Sequence, residues 1–199
     1  MDHVDLLQIH DPDPNTAIEE SWKAVQQLVR EGKVRHGGLS NHPVELVRRA
    51  MSIGPVVSNQ LQYNPLERGI EKELMPFCEE NNIGILSWGS LAEGFLTDNF
   101  DLNAPKDFRR GHKYGQAENS KLIMMVRGAF NRVAARHAKT MVDVVIAWEL
   151  MHSALTGVII GVRNEKESEQ MTQATGLHLA KEDVREIEQA LAIWNTKRE

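Results

Sequence analysis

Five short, mostly apolar segments of this chain are each followed by residues that could bind or transform a small molecule. In parallel β/α proteins the chemistry lies at the carboxyl ends of the strands, where such residues meet. We therefore expect the five groups to contribute to one site. In chain order they are His10 with Asp11, Ser40 with Asn41, Gln60 with Tyr63, Trp88, and Gly161 with Arg163.

Each kind of residue in this set suits one part of a ligand. Ser40, Asn41 and Gln60 offer both donors and acceptors, which can read an amide group. Trp88 offers a flat face on which a ring can stack. A helix N-terminus with Arg163 beside it suits a phosphate. An amide, a ring and a phosphate together indicate a nicotinamide dinucleotide.

The elements that must position these residues follow from the hydrophobic pattern. Strands are predicted at residues 4–10, 34–39, 56–60, 83–87 and 156–160, and amphipathic helices between and after them. Thr16 and Glu19 predict a capping box for the first helix, and Pro43 is expected in the first turn of the second. Short apolar strands that alternate with helices are typical of parallel β/α units, so the predicted fold class is α/β. The polar stretch 89–119 is longer than most connections.

The composition limits the classes of protein to which the chain can belong. Its 199 residues carry 23 lysines and arginines against 28 aspartates and glutamates, a formal net charge of −5. Such a chain lacks the basic face that binds phosphates, so we expect no nucleic-acid partner. Its apolar runs are far shorter than the ~20 residues that cross a bilayer, so we expect no membrane partner. No break in composition divides it, which predicts one domain over residues 1–199.

The cysteine and histidine content indicates the cellular compartment and whether a metal site is expected. The single cysteine, Cys78, cannot form an intrachain disulfide and is expected to be a buried small side chain. Residues 1–5 do not resemble a signal peptide, so we expect a cytoplasmic protein. Eight histidines are present, but none has the H-x-H or H-E-x-x-H spacing, so no metal site is expected.

Several candidates also have structural interpretations that the sequence leaves open. Ser40 and Asn41 are preferred capping residues and could simply cap the second helix. Trp88 could be a core aromatic residue, and His10 could make only a local hydrogen bond. A glycine pair at 37–38 indicates a close approach of the backbone, either to a cofactor or to a helix.

Five motifs carry a resemblance to a known family: DLLQIH at residues 5–10, GKVRHGGLSN at 32–41, NQLQYN at 59–64, ILSWGSL at 85–91 and GVRN at 161–164. With these motifs in this order, the chain resembles the aldo-keto reductases from their fourth barrel strand to the C-terminus. The resemblance implies a (β/α)8 barrel of the TIM type, here incomplete with about five strands. It also implies an NADP(H)-dependent oxidoreductase, with NAD(H) as the alternative cofactor, that interconverts aldehydes or ketones and alcohols.

The same resemblance implies a role for each matching residue. His10 matches the active-site histidine that hydrogen-bonds the substrate carbonyl. Ser40, Asn41 and Gln60 match the contacts to the carboxamide, and Trp88 matches the aromatic residue that stacks on the nicotinamide. The remaining matches are the pyrophosphate loop, Gly89, Ser90 and Leu91, and the adenosine-phosphate pocket, Gly161, Arg163 and Asn164.

The chain also departs from the family pattern. The family's catalytic aspartate, tyrosine and lysine lie on the first three β/α units, and neither Tyr63 nor Tyr114 matches the tyrosine. Carbonyl reduction needs a proton donor, so we expect the isolated chain to be inactive. Glu167 and Met171 stand where the family more often has adenosine-contacting residues, and a carboxylate there would repel a 2′-phosphate.

These departures leave two alternatives to an enzyme. The chain could be a regulatory module that binds a nicotinamide cofactor, as the channel β-subunits of this family do, or an inactive fragment. Met1 falls within the run that precedes the fourth strand in the family, which favours a truncated chain. Five strands do not close a barrel of ~8, so we expect self-association through open edges.

Overall fold

The computed structural model describes residues 2–100, 108–172 and 176–198. Within these ranges, strands alternate with helices in the order that the sequence predicts. The strands are β1 (Val4–Ile9), β2 (Val34–Ser40), β3 (Ser58–Gln62), β4 (Gly84–Trp88) and β5 (Leu155–Val158). The helices are α1 (Ile18–Arg30), α2 (Val44–Met51), α3 (Leu74–Glu80), α4 (Ala117–Arg136), α5 (Met141–Glu149), α6 (Glu165–Thr172) and α7 (Lys181–Arg198).

The five strands form one sheet in the order β1-β2-β3-β4-β5. The first four pair in parallel, with Gln8 opposite Gly38, Ser40 opposite Gln60, and Gln62 opposite Trp88. This confirms the predicted fold class of parallel β/α units. A closed barrel of this type has about eight strands, so five leave it incomplete.

The contacts divide the chain into two compact units. The first contains β1 to β4, most of β5, and α1 to α3, and the second contains α4 to α7. Of the long polar stretch, residues 101–107 lie outside the described residues. The prediction of one domain stays a prediction.

In the first unit, α1 packs closely on β2. Trp22 and Val25 are buried on the inner side of the helix, and the Trp22 indole donates to the Gly54 carbonyl at 3.1 Å. A Cβ at Gly37 would lie 2.8 Å from Val25 and 2.9 Å from Trp22, so only glycine fits. The glycine pair indicated a close approach of the backbone, and at Gly37 the approaching element is the helix α1.

In the second unit, α4 supplies a buried face that packs against α5 and α7. Phe130, Val133, Trp148 and Trp194 are all at most 1% exposed. The Trp194 indole donates to the Leu66 carbonyl at 3.3 Å, so its polar atom is satisfied inside the core. The apolar spacing predicted for these helices therefore marks the core of this unit.

The capping predictions were wrong for α1 and α2. Thr16 donates its hydroxyl to Asp13 Oδ2 at 2.9 Å, and α1 begins after Ala17 without a side-chain cap. Likewise Pro43 occupies the N-cap position of α2, one residue earlier than predicted, and no side chain caps that helix. A capping box is instead present at the start of α5, where the Thr140 side chain accepts from the Asp143 N–H and the Asp143 side chain accepts from the Thr140 N–H.

Candidate cofactor site

Ser40 ends β2 and is buried, with 2% of its surface exposed. Its Oγ has no hydrogen-bond partner among the described residues. Since no side chain caps α2, the capping interpretation of Ser40 and Asn41 is wrong. A buried hydroxyl without a partner costs free energy, about 1–3 kcal/mol, unless a ligand or water satisfies it.

Asn41 joins the carboxyl ends of β1 and β4. Its Oδ1 accepts the Trp88 indole N–H at 3.0 Å, and its Nδ2 donates to Asp11 Oδ1 at 2.8 Å. Its φ of 59° lies in the left-handed region, which asparagine tolerates better than most residues. Trp88 is half-buried rather than enclosed in the core, so part of its ring is accessible. The structure thus brings Asn41, Trp88 and the end of β1 together.

Gln60 lies on the same face of the sheet as Gln8. The Gln60 amide donates to Gln8 Oε1 at 3.3 Å, and the Gln8 amide donates to the Leu39 carbonyl and to Ser58 Oγ. We call Gln8 and Gln60 the glutamine pair. Sequence analysis missed Gln8 because it lies inside a strand rather than at its end. The alternation of side chains along β1 was the signal that could have placed it on this face.

His10 follows β1 and projects into solvent. Its side chain is 87% exposed, and its Nδ1 lies 3.5 Å from Asp11 Oδ2. This position is consistent with the local interaction that the sequence left open. The catalytic role that the resemblance implies for His10 stays a prediction.

Tyr63 belongs to the core of the second unit. It is fully buried, its hydroxyl pairs with His152 Nε2 at 2.8 Å, and its ring stacks on Trp148 at 5.7 Å between centroids. Tyr63 is therefore part of this core and has a structural role.

The predicted pyrophosphate loop also belongs to the second unit. Gly89 adopts a φ of 71°, and its carbonyl accepts the Ala92 N–H at 2.8 Å and the Asn64 amide at 2.9 Å. Ser90 is buried. Leu91 packs against Val142 and Ile146 on α5, which makes its side chain part of a small apolar cluster.

At the start of α6, Arg163 is bound by a carboxylate of its own chain. Glu167 Oε1 accepts Arg163 Nη2 at 2.8 Å, and Glu167 Oε2 accepts the Arg163 backbone N–H at 2.9 Å. The Arg163 side chain, the largest cause, holds the pKa of Glu167 below its ordinary value. Asn164 Oδ1 accepts the Glu167 N–H at 3.0 Å, while Gly161 stands in open space. The backbone N–H and the guanidinium of Arg163 are thus already engaged.

A family comparison agrees with this arrangement of strand ends. The model of the aldo/keto reductase family matches residues 1–192. The chain belongs to the aldo/keto reductase family. The fold and the motif order both support the resemblance inferred from the sequence.

Relatives within the aldo/keto reductase family are similar over nearly the whole chain. A probable aldo-keto reductase 1 of Glycine max is 30% identical over 97% of this chain and 56% of its own length. The aldo-keto reductase YhdN of Bacillus subtilis is 28% identical over 94% and 57%. The solved glycerol dehydrogenase AKR11B4 of Gluconobacter oxydans superposes with a TM-score of 0.91 at 28% identity, covering 96% of this chain and 59% of that one. The chain therefore spans a little over half the length of these relatives.

Aldo/keto reductases generally use nicotinamide cofactors, and the residues fit such a cofactor unequally. The Ser40 hydroxyl, which has no partner among the described residues, fits a carboxamide, and the half-buried Trp88 fits a ring. The Arg163 guanidinium is paired with Glu167, so a phosphate would have to displace that carboxylate. The first unit therefore suits the nicotinamide half better than the second suits the phosphate half.

The described part of the chain has neither a metal-binding cluster nor a membrane-spanning helix. Residues 2–100, 108–172 and 176–198 contain no cluster of three or more histidine, cysteine or acidic side chains that could hold a metal ion. No described helix is long and apolar enough to cross a membrane.

Proposed function

We propose that this chain supplies the nicotinamide-binding portion of an NADP(H)-dependent oxidoreductase that interconverts aldehydes or ketones and alcohols. The unpaired, buried hydroxyl of Ser40 beside the Asn41–Trp88 pair is the observation that carries this proposal. A nicotinamide carboxamide is a ligand that can satisfy such a hydroxyl. Membership of the aldo/keto reductase family supports the same chemistry.

In this proposal, four residues of the first unit contact the cofactor or the substrate. Ser40 would donate a hydrogen bond to the carboxamide oxygen, and Gln60 would accept one from the carboxamide N–H. The Trp88 ring stacks on the nicotinamide, while its N–H keeps Asn41 in place. His10 donates to the substrate carbonyl. The cofactor supplies the hydride.

Along the backbone, Gly89, Ser90 and Leu91 are proposed to follow the pyrophosphate, and Gly161, Arg163 and Asn164 to face the adenosine phosphates. The Arg163 side chain can contact an adenosine phosphate only when it leaves Glu167.

The proposal includes no proton donor from this chain. The family's aspartate, tyrosine and lysine belong to β/α units outside this sequence, and removal of a general acid costs about 10²–10⁴-fold in rate. We therefore propose that the chain binds cofactor without measurable turnover on its own. That behaviour also suits the alternative of a regulatory module that binds the cofactor.

Turnover and binding measured on the same protein test the proposal. We expect NADPH to quench tryptophan fluorescence saturably, with no oxidation of NADPH above background when 4-nitrobenzaldehyde is added. Trp88→Phe should abolish most of the quenching, whereas Trp22→Phe, which alters a tryptophan buried on the inner side of α1, should not. Equal effects of the two variants would contradict the stacking role. Turnover that His10→Ala abolishes would show that another proton donor acts.

Two further expectations belong to the proposal. The single cysteine favours a cytoplasmic location. We also propose that the chain self-associates through the edge of β1, which pairs with β2 alone among the described strands. Val4 and Leu6 on this strand are 39% and 37% exposed.

A further inference from the structure

The glutamine pair shares one face of the sheet with Ser40. Gly38 is opposite Gln8 and Ser40 is opposite Gln60 in the parallel register, and alternate residues of a strand lie on the same face. A Cβ at Gly38 would lie 3.0 Å from Gln8 Cγ and closer still to Ser58 Oγ. The second glycine of the pair therefore makes room for the Gln8 side chain.

The backbone of β2 fixes the orientation of the Gln8 amide. Gln8 Nε2 lies 3.1 Å from the Leu39 carbonyl oxygen. A carbonyl oxygen can only accept, so the nitrogen of the Gln8 amide, and not its oxygen, must face Leu39. The same nitrogen donates to Ser58 Oγ at 3.3 Å. Gln8 Oε1 is thus left on the other side of the amide, as an acceptor.

The Gln8 amide in turn fixes the orientation of Gln60. Gln8 Oε1 accepts the Gln60 amide N–H at 3.3 Å. If the Gln60 amide were reversed, two oxygens would face each other at this distance with no proton between them. Gln60 therefore presents its own oxygen, Oε1, on the side of the amide away from Gln8. An acceptor is thus set beside Ser40, the neighbour of Gln60 in the register.

We propose that Gln8 is a positioning residue that makes Gln60 recognise the N–H of the cofactor carboxamide. This inference rests on the proposed function. A carboxamide carries a donor and an acceptor on one carbon, and the Ser40 hydroxyl and Gln60 Oε1 offer the complementary pair. The carboxamide oxygen then binds Ser40, and its N–H binds Gln60. Through two amides, the Leu39 carbonyl selects the group that the nicotinamide ring must carry.

A cofactor analogue without this N–H measures the selection. In the reduced 3-acetylpyridine analogue of NADPH, a methyl group replaces the amide nitrogen, so the shape is kept and the donor is lost. The analogue leaves Gln60 Oε1 without a donor when it binds, which lowers its affinity. We expect the unaltered protein to bind NADPH about tenfold more tightly than the analogue. Quenching of tryptophan fluorescence gives the Kd of each compound.

Gln8→Met keeps the length of the side chain and removes both ends of its amide. The Gln60 amide can then reverse and donate to the ketone oxygen of the analogue, so we expect the preference for NADPH to fall to about twofold. Gln26→Met is the matched control, because Gln26 is buried on α1 and also donates to a backbone carbonyl, that of Pro55, at 3.2 Å. Since α1 packs at Gly37, on the opposite face of β2 from Gln8, this control should keep the preference.

NMR of the side-chain amides tests the positioning without any cofactor. One amide proton of Gln60 is hydrogen-bonded to Gln8, so we expect its resonance to lie downfield of that of a free glutamine amide. Gln8→Met should remove this displacement, whereas Gln26→Met should leave it unchanged.

The outcomes separate this inference from the proposed function. Equal affinities of the unaltered protein for the two compounds, a preference that survives Gln8→Met, or a Gln60 resonance that does not respond would overturn the positioning role and leave cofactor binding in place. An equal fall of the preference in Gln26→Met would overturn it as well, because any lost amide would then have the same effect. If neither compound bound saturably, the proposed function would be contradicted and the positioning role with it.

Discussion

Asn41 and Trp88, 47 residues apart in the chain, are joined by a hydrogen bond of 3.0 Å from the indole N–H to the amide oxygen. The other end of the same amide donates to Asp11 at 2.8 Å. The side chain that the family resemblance assigns to the cofactor therefore also holds the ends of β1 and β4 together. It does so from a backbone conformation with φ 59°.

Asn41→Ala is expected to destabilise the protein more than Asn82→Ala. Both residues have positive φ, 59° and 55°, so both variants carry the backbone cost of about 1–2 kcal/mol. Only Asn41 also loses three side-chain hydrogen bonds, worth about 1 kcal/mol each. Urea unfolding of the two variants measures the difference. Equal losses would show that the amide of Asn41 contributes nothing to stability.

Glu167→Gln is expected to raise the preference for NADP(H) over NAD(H). The carboxylate binds Arg163 twice and, as the hydrogen bonds from Arg163 keep its pKa low, it is ionised at neutral pH. Its removal frees the guanidinium for a 2′-phosphate, so we expect the affinity for NADP(H) relative to NAD(H) to rise by about tenfold. Binding of both cofactors, followed by tryptophan fluorescence, measures the ratio.

Glu165→Gln is the matched control for this change. Glu165 is exposed in the same first turn of α6, so its variant removes one negative charge without releasing Arg163. If both variants change the NADP(H) to NAD(H) ratio equally, the effect is one of net charge and the Arg163–Glu167 pair does not determine preference.

Cys78 predicts how stability changes at alkaline pH. Burial raises the pKa of its thiol to about 11 from an ordinary value of 9.0. The unfolded chain therefore loses this proton at lower pH than the folded one. The stability from the neutral thiol is fully present below pH 9.0 and falls as the pH rises towards about 11.

Cys78→Ala is expected to show a smaller loss of stability over this interval than the unaltered protein. All other groups titrate alike in the two proteins, so the difference isolates the thiol. The same burial predicts that a thiol reagent modifies Cys78 slowly at pH 8 unless denaturant is present. Rapid modification of the folded protein would contradict the buried position.

Leu6→Lys is expected to weaken the proposed self-association. A charge on the open edge strand opposes pairing with a second chain. Met124→Lys is the control, because Met124 is 56% exposed on α4 in the second unit. Light scattering at several protein concentrations measures the mass of each protein. A monomeric unaltered chain that unfolds cooperatively and binds no hydrophobic dye would refute the proposal.

The sequence by itself determined the number, type and order of the elements. The alternation of apolar strands with amphipathic helices depends on local periodicity, and it predicted all five strands within a few residues. The burial of Cys78 also follows from local composition. The glycine pair indicated a close backbone approach, but only the structure showed that at Gly37 it is to α1. The strand-end residues that carry the family resemblance could be named for the same reason, since each directly follows its strand.

Only the tertiary structure decided which partner each polar side chain has. Gln8 and Gln60 meet across 52 residues, and Thr16 binds Asp13 instead of capping α1. The physical reason is that hydrophobic periodicity is read along the chain, whereas a hydrogen bond goes to whichever donor or acceptor the fold brings within about 3 Å.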